Sequence, residues 1–177
     1  PTFDPLLDGR SGLMNAGPGL ADGSLMRSKG GADFPPGGFA VVCGVCESWE
    51  QTDSVTYVFH LEEGITFGKS IGSEMSDFPG VNGREMDADD VVFSLNGMKD
   101  PKGSNRHRVA DVITVEAMDK YTVKVVLEAP NADFLEGIAT IPGVPIVAHE
   151  IAEALGDFKQ GPTVTTGPWI LESGDRT

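Results

Sequence analysis

Val55-Thr56-Tyr57-Val58-Phe59-His60-Leu61 decides the fold class of this 177-residue chain. Side chains alternate across an extended strand, so Val55, Tyr57, Phe59 and Leu61 share one face. Thr56, Val58, His60 and Glu62 share the other. One apolar and one mixed face predict a strand with one side on a core. A Glu63-Gly64 turn then leads into Ile65-Thr66-Phe67, which is expected to pair back as a hairpin.

A second alternating pair lies downstream. Val112–Met118 and Tyr121–Leu127 flank the short Asp119-Lys120 turn. This spacing predicts an antiparallel hairpin, with Ile113, Val115 and Ala117 facing Tyr121, Val123, Val125 and Leu127 across the ladder.

Between the two hairpins the period changes. Asp87 is placed to cap a helix, with Asp89 and Asp90 in the first turn, where the helix dipole favours anions. Met86 and Val91 stand at staple positions around that cap. Val91, Val92, Leu95 and Met98 form the apolar stripe. Asp100-Pro101 is expected to end the helix, because the residue before proline avoids helical geometry.

Residues 1–40 are rich in Gly, Pro and Ser and are expected to hold little regular structure, and 39–42 read as a short strand. Residues 68–83 are a polar, Gly-containing insert. Further helices are expected over 132–139, after Pro130, and over 148–156, ended by Gly156. Short strands are expected at 144–147 and within Thr163–Leu171. The order predicts an α+β fold with a mainly antiparallel sheet and three short helices.

Composition narrows the function classes. With 27 acids against 13 bases, the net charge is −14. Nucleic-acid binding is therefore not expected, since it needs a basic footprint to displace counterions. No apolar run is long enough to span a membrane as a helix.

Motifs for chemistry are weak. Gly64-Ile65-Thr66-Phe67-Gly68-Lys69-Ser70 has three residues between its glycines where a phosphate loop needs four. Asp87, Asp89 and Asp90 lack the rest of a calcium loop. His60, His107 and His149 are scattered and read as surface or cap residues. There is no G-x-S-x-G nucleophile elbow. No metal site and no cofactor are expected. Cys43-Gly44-Val45-Cys46 leaves three readings open: two ordinary thiols, a disulfide in an oxidising compartment, or a metal or redox site. Arg106-His107-Arg108, near Lys99 and Lys102, is the main basic cluster. It reads either as a solvated turn or as a loop that pairs with a ligand carboxylate.

Several stretches together resemble the extracellular solute-binding family 5 of peptide-type ABC importers. Glu47-Ser48-Trp49-Glu50 resembles the family's A-E-S-W-E, with Cys46 in place of Ala. Tyr57–Leu61 followed by Glu63–Phe67 resembles Y-x-F-x-L-R-x-G-V-x-F, with Glu62 where a basic residue is common. Asn82–Ser94 resembles N-G-R-x-x-T-A-x-D-V-V-F-S, with Asp87 for the capping Thr. Val115–Leu127 resembles V-E-A-x-D-x-Y-T-V-x-x-x-L. Thr166-Gly167-Pro168-Trp169 resembles a G-T-G-P-Y turn. The match runs over roughly residues 40–175.

The resemblance implies part of a two-lobed clamp of the periplasmic-binding-protein type II-like kind. Residues 1–46 would be a loop-rich remnant of the large lobe. Residues 47–168 would form the small α+β domain, and 169–177 would begin the return to the large lobe. It implies a non-catalytic, monomeric, extracytoplasmic protein (periplasmic or at the cell surface). That protein would deliver di- or oligopeptides, or a related solute, to an ABC permease in the membrane. It also implies that the loop Lys102–Arg108 approaches the ligand cleft, making Asn105, Arg106 and His107 candidate ligand-binding residues. A small metal- or thiol-dependent enzyme built on Cys43 and Cys46 is the competing expectation.

Overall fold

The structure is a computed structural model describing residues 25–29, 40–67, 81, 83–99, 106–139, 144, 146–150, 153 and 166. The Gly/Pro-rich stretch does contain a strand, β1 (Met26–Lys29), against expectation. It pairs antiparallel with β2 (Ala40–Cys43). No local pattern announces β1, because its partner lies beyond a long intervening segment.

The second sheet has four strands: β3 (Cys46–Gln51), β4 (Thr56–Leu61), β5 (Val112–Asp119) and β6 (Thr122–Leu127). Their spatial order is β3-β4-β6-β5, with every pairing antiparallel. The α+β class and the mainly antiparallel sheet hold. The central strands β4 and β6 follow the alternation of their sequences: Tyr57, Phe59, Leu61, Val123, Val125 and Leu127 are all buried.

The β5–β6 hairpin forms, but Asp119 pairs with Thr122, so the turn is Lys120-Tyr121, one residue later than the expected Asp119-Lys120. A register shift between Val112 and Thr114 rotates the start of β5. Val112 and Val115 then both face the core, while Ile113 is left 57% exposed. A one-residue bulge breaks the two-residue period on which the expected facing of Ile113 rested.

The expected hairpin of Ile65–Phe67 back onto β4 does not form. Thr66 bridges Glu85 instead, Phe67 N–H donates to Arg84 O (2.9 Å), and Met86 N–H donates to Ile65 O (2.8 Å). Gly64, at φ +78°, turns the chain away from β4. A left-handed backbone at that turn suits glycine, which has no Cβ to clash. The segment thus pairs with the approach to the helix.

Helix α1 (Ala88–Met98) begins as its sequence predicts. Asp87 accepts from the backbone N–H of Asp89 and Asp90, and the Asp90 side chain accepts from Asp87 N–H, completing a capping box. The staple residues Met86 and Val91 are fully buried. Val91 and Leu95 face the core, with Val92 and Met98 packed at its margin. Lys99 is the C-terminal cap, and Asp100-Pro101 lies outside the described residues. The helix packs over β5 and β6.

A 3-10 turn follows at Arg106–Val109, and a second helix, α2 (Phe134–Ala139), opens a little later than expected. Helix α2 packs against β1, β2 and the 3-10 turn. Val144 and Ile146 are buried but form no strand, contrary to the short strand expected there. Val144 O instead accepts from Leu25 N–H, and Val147 N–H donates to Ser94 Oγ. His149, Glu150 and Glu153 are helical, in keeping with the expected third helix, whose remaining residues lie outside the described set. So does most of the 68–83 insert and, apart from Thr166, the stretch 163–171. No helix among the described residues is long and apolar enough to cross a membrane.

Candidate functional site

Among the described residues, a dense charged cluster sits at the entrance to α1, in residues that read from sequence only as a cap. Arg84 Nη1 and Nη2 donate to the two oxygens of Asp90, at 2.9 and 2.7 Å. Nη2 also donates to Glu150 Oε2 at 2.8 Å. His149 Nδ1 lies 3.1 Å from Asp90 Oδ1 and 3.6 Å from Glu150 Oε2. The guanidinium is stacked on Phe67, with Cζ 4.9 Å from the ring centre. The two-pronged geometry matches the planar guanidinium to a carboxylate.

Burial alone would push the Asp90 carboxyl up, but the Arg84 guanidinium, Asp87 N–H and His149 outweigh it and hold it below its usual value. Arg84 is correspondingly raised, chiefly by its bond to Asp90. Asp87 is pushed up by its own burial and by the neighbouring Asp90 charge. Asp90, His149 and Glu150 come within 4.8 Å of one another, as the ligands of a cation would. The guanidinium of Arg84 already meets both carboxylates, so the charge a cation would supply is present. The cluster ties α1 to the segment around residue 149 and is structural in chemistry.

A second node lies on the surface beside it. Glu85 Oε1 accepts from Gly64 N–H (2.7 Å) and Tyr121 Oη (2.9 Å), and Oε2 accepts from Lys120 Nζ (2.6 Å). The Lys120 bond, followed by those from Gly64 and Tyr121, lowers the Glu85 carboxyl to about 2. This node joins the Gly64 turn, the β5–β6 turn and the approach to α1.

Of the expected ligand-binding residues, Asn105 lies outside the described set. Arg106 and His107 are exposed on the 3-10 turn. Arg108, half-buried, donates to Gly137 O of α2 (2.7 Å) and so anchors that turn. The structure does not bring Arg106 and His107 to the Arg84 cluster. Sequence reasoning missed Arg84, Asp90 and His149 as one unit. The available signal was a polar pair at i, i+4, Asp90 and Ser94, embedded in the apolar stripe of α1, where both are buried.

The three readings of Cys43 and Cys46 resolve to one: the two residues form a disulfide, and no free cysteine remains. In this state neither sulfur is a free thiol or a thiolate ligand.

The family model described as bacterial extracellular solute-binding proteins, family 5 Middle, matches residues 40–176. The chain belongs to this family. Di/tripeptide-binding protein 2 of Pseudomonas aeruginosa (strain UCBPP-PA14) is 30% identical over 159 residues, which is 79% of this chain and 28% of that protein. The chain therefore spans under a third of the length of the curated relatives it matches. Among solved structures, the PBP/SBP MoaA from A.tumefacien R10, in complex with mannopinic acid, superposes with a TM-score of 0.67 at 29% identity. That match covers 86% of this chain and 28% of MoaA. The PBP AgaA from the same source, in complex with agropinic acid, gives a TM-score of 0.71 at 22% identity over 98% of this chain and 31% of AgaA, a likeness of fold. The periplasmic-binding-protein type II-like class implied by the sequence thus stands. The strongest motif residues turn out to be scaffold: Trp49 on an edge strand, Tyr57, Phe59 and Leu61 in the core, and Asp87 at the cap.

Proposed function

We propose that this chain is part of an extracytoplasmic solute-binding protein that delivers di- or oligopeptides, or a related solute, to an ABC permease, with no covalent chemistry of its own. The observation that carries the reading is the family match over residues 40–176. The names of the relatives supply the solute class, with a di/tripeptide in one and mannopinic acid in another. The Cys43–Cys46 disulfide supports an oxidising, extracytoplasmic compartment, because cytosolic thiols are kept reduced.

In this reading residues 47–168 are the small domain of a two-lobed clamp. Residues 1–46 belong to the large lobe, and 169–177 lead back to it. The clamp closes on the solute and then docks on the permease as a monomer. The loop Lys102–Arg108 faces the solute, with Asn105, Arg106 and His107 as its contacts. The exposed positions of Arg106 and His107 suit pairing with a carboxylate, such as a peptide C-terminus.

A thermal-shift series with di- and tripeptides tests this. The protein encoded by the whole gene that carries this segment should gain stability, by about 2.7 kcal/mol when peptide reaches a hundred times its Kd. The 177-residue chain alone should show no peptide-dependent shift. Peptide hydrolysis by the whole protein, or a clear shift with the isolated chain, would overturn the reading.

A further inference from the structure

The Cys43–Cys46 disulfide stands at a particular place in the fold. Cys43 is the last residue of β2 and pairs with Met26 in the two-stranded sheet. Cys46 is the first residue of β3 and pairs with Leu61 in the four-stranded sheet. The bond therefore closes the short link through which the chain leaves one sheet and enters the other. Two backbone bonds converge on that link: Gly44 N–H donates to Leu25 O (3.0 Å), and Glu62 N–H donates to Val45 O (3.0 Å). The first fastens the link to the start of β1, the second to the end of β4. Cys46 is 3% exposed, with its sulfur 3.3 Å from Leu25 O and 3.5 Å from Met26 Sδ, and Val45 is 4% exposed. Cys43 is only half-buried.

We propose that the Cys43–Cys46 disulfide is a covalent clasp on the inter-sheet link, opened by a dithiol at Cys43 and thereby loosening the junction while leaving the four-stranded sheet intact. The chemistry follows from the two exposures. A thiolate of the external dithiol attacks Cys43 Sγ, on the less buried of the two residues, and the S–S bond breaks with Cys46 as the leaving group. Cys46 takes up a proton in its apolar surroundings, since burial favours the neutral thiol. The second thiol of the reagent then attacks the mixed disulfide and releases Cys43. The reagent leaves as its own disulfide, having supplied two electrons and two protons. With the clasp open, Gly44 and Val45 are held by hydrogen bonds alone. The β4–β6 ladder, including Leu61 N–H to Tyr121 O (2.7 Å), does not depend on the bond.

Hydrogen exchange on the 177-residue chain tests this without any solute or permease. Oxidised protein, protein reduced with dithiothreitol and the Cys43→Ser/Cys46→Ser double variant are compared by mass spectrometry. Reduction should speed exchange at the Gly44 and Glu62 amides by about tenfold or more, as expected when local opening replaces wider opening. The Leu61 amide should stay within about twofold, and the double variant should match the reduced protein. After brief reductant exposure and quenching, the trapped reagent adduct should map to Cys43 and the single alkyl group to Cys46, the sulfur that left. Equal protection of Gly44 and Glu62 in both states would overturn the clasp. So would loss of protection at Leu61, which would make the bond a requirement of the whole sheet. Two free thiols in protein purified under oxidising conditions would also overturn it.

Discussion

Asp90 and Glu85 are near neighbours at the start of α1, and each holds a basic partner, yet they do so in opposite surroundings. The Asp90 side chain is 0% exposed and meets Arg84 in the interior, whereas the Glu85 side chain is 30% exposed and meets Lys120 at the surface. The same acid–base chemistry does two different jobs. Removing one member of a buried pair strands the other charge in a medium that solvates it poorly. Removing one member of a surface pair leaves its partner to water and salt. Asp90 is thus a joint on which packing depends, and Glu85 is a tether whose worth varies with conditions.

The largest expected effect is at the buried pair. Asp90→Ala should destabilise the chain by about 3–5 kcal/mol in urea unfolding, because Arg84 is left without its main partner. The double variant Arg84→Met/Asp90→Leu should cost less than the sum of the two single changes, since no charge is then orphaned. Strict additivity would break the distinction between the two nodes.

Next comes the cap between them. Asp87→Ala should cost about 0.5–2 kcal/mol, and Asp87→Asn should be near neutral, because Asn also caps. Asn would in addition remove the repulsion from Asp90 that raises the Asp87 carboxyl. A large loss with Asn would mean that the cap works through charge and not through its hydrogen bonds.

The surface tether should appear as an acid-sensitive contribution. The Glu85 carboxyl is lowered from 4.5 to about 2 in the folded chain. Its contribution is therefore fully present above about pH 4.5 and is lost as pH falls toward 2. Glu85→Gln removes that contribution, so the wild-type minus variant stability difference, measured from pH 6 downward, should fall between about pH 4.5 and 2. A difference curve without slope between those two values would refute the tether.

The smallest effect is a matter of salt. At about 1 M NaCl the Debye length falls to about 3 Å, so the gap in Tm between wild type and Glu85→Gln should shrink. The gap for Asp90→Ala should persist, because ions do not reach that pair. Equal salt sensitivity at both sites would place Asp90 in contact with solvent.

How much of this was legible beforehand depends on how local each signal is. The alternation of Val55–Leu61, the β5–β6 hairpin and the Asp87 cap are set by neighbours a few residues apart, and all three form, the hairpin with its turn one residue later than read. The pairing of Thr66 with Glu85, the strand Met26–Lys29 and the bond from Val147 to Ser94 join distant segments, and none has a local signature. Ile113 misled because a bulge shifts the phase of its strand. At the candidate ligand loop the sequence supplied Asn105, Arg106 and His107 through resemblance alone. The structure shows Arg106 and His107 exposed.

The sequence by itself determined the fold class and the family. These follow from periodicity, turn and cap chemistry and motif order, each readable along one dimension. Only the tertiary structure decided that Asp90 is buried against Arg84, with His149 and Glu150 completing the cluster, while Glu85 stays at the surface. Only it placed the Cys43–Cys46 bond between two sheets. The physical reason is the same in each case. Burial and pairing belong to the three-dimensional neighbourhood, and an aspartate reads identically in sequence whether it ends up in water or against a guanidinium in the interior.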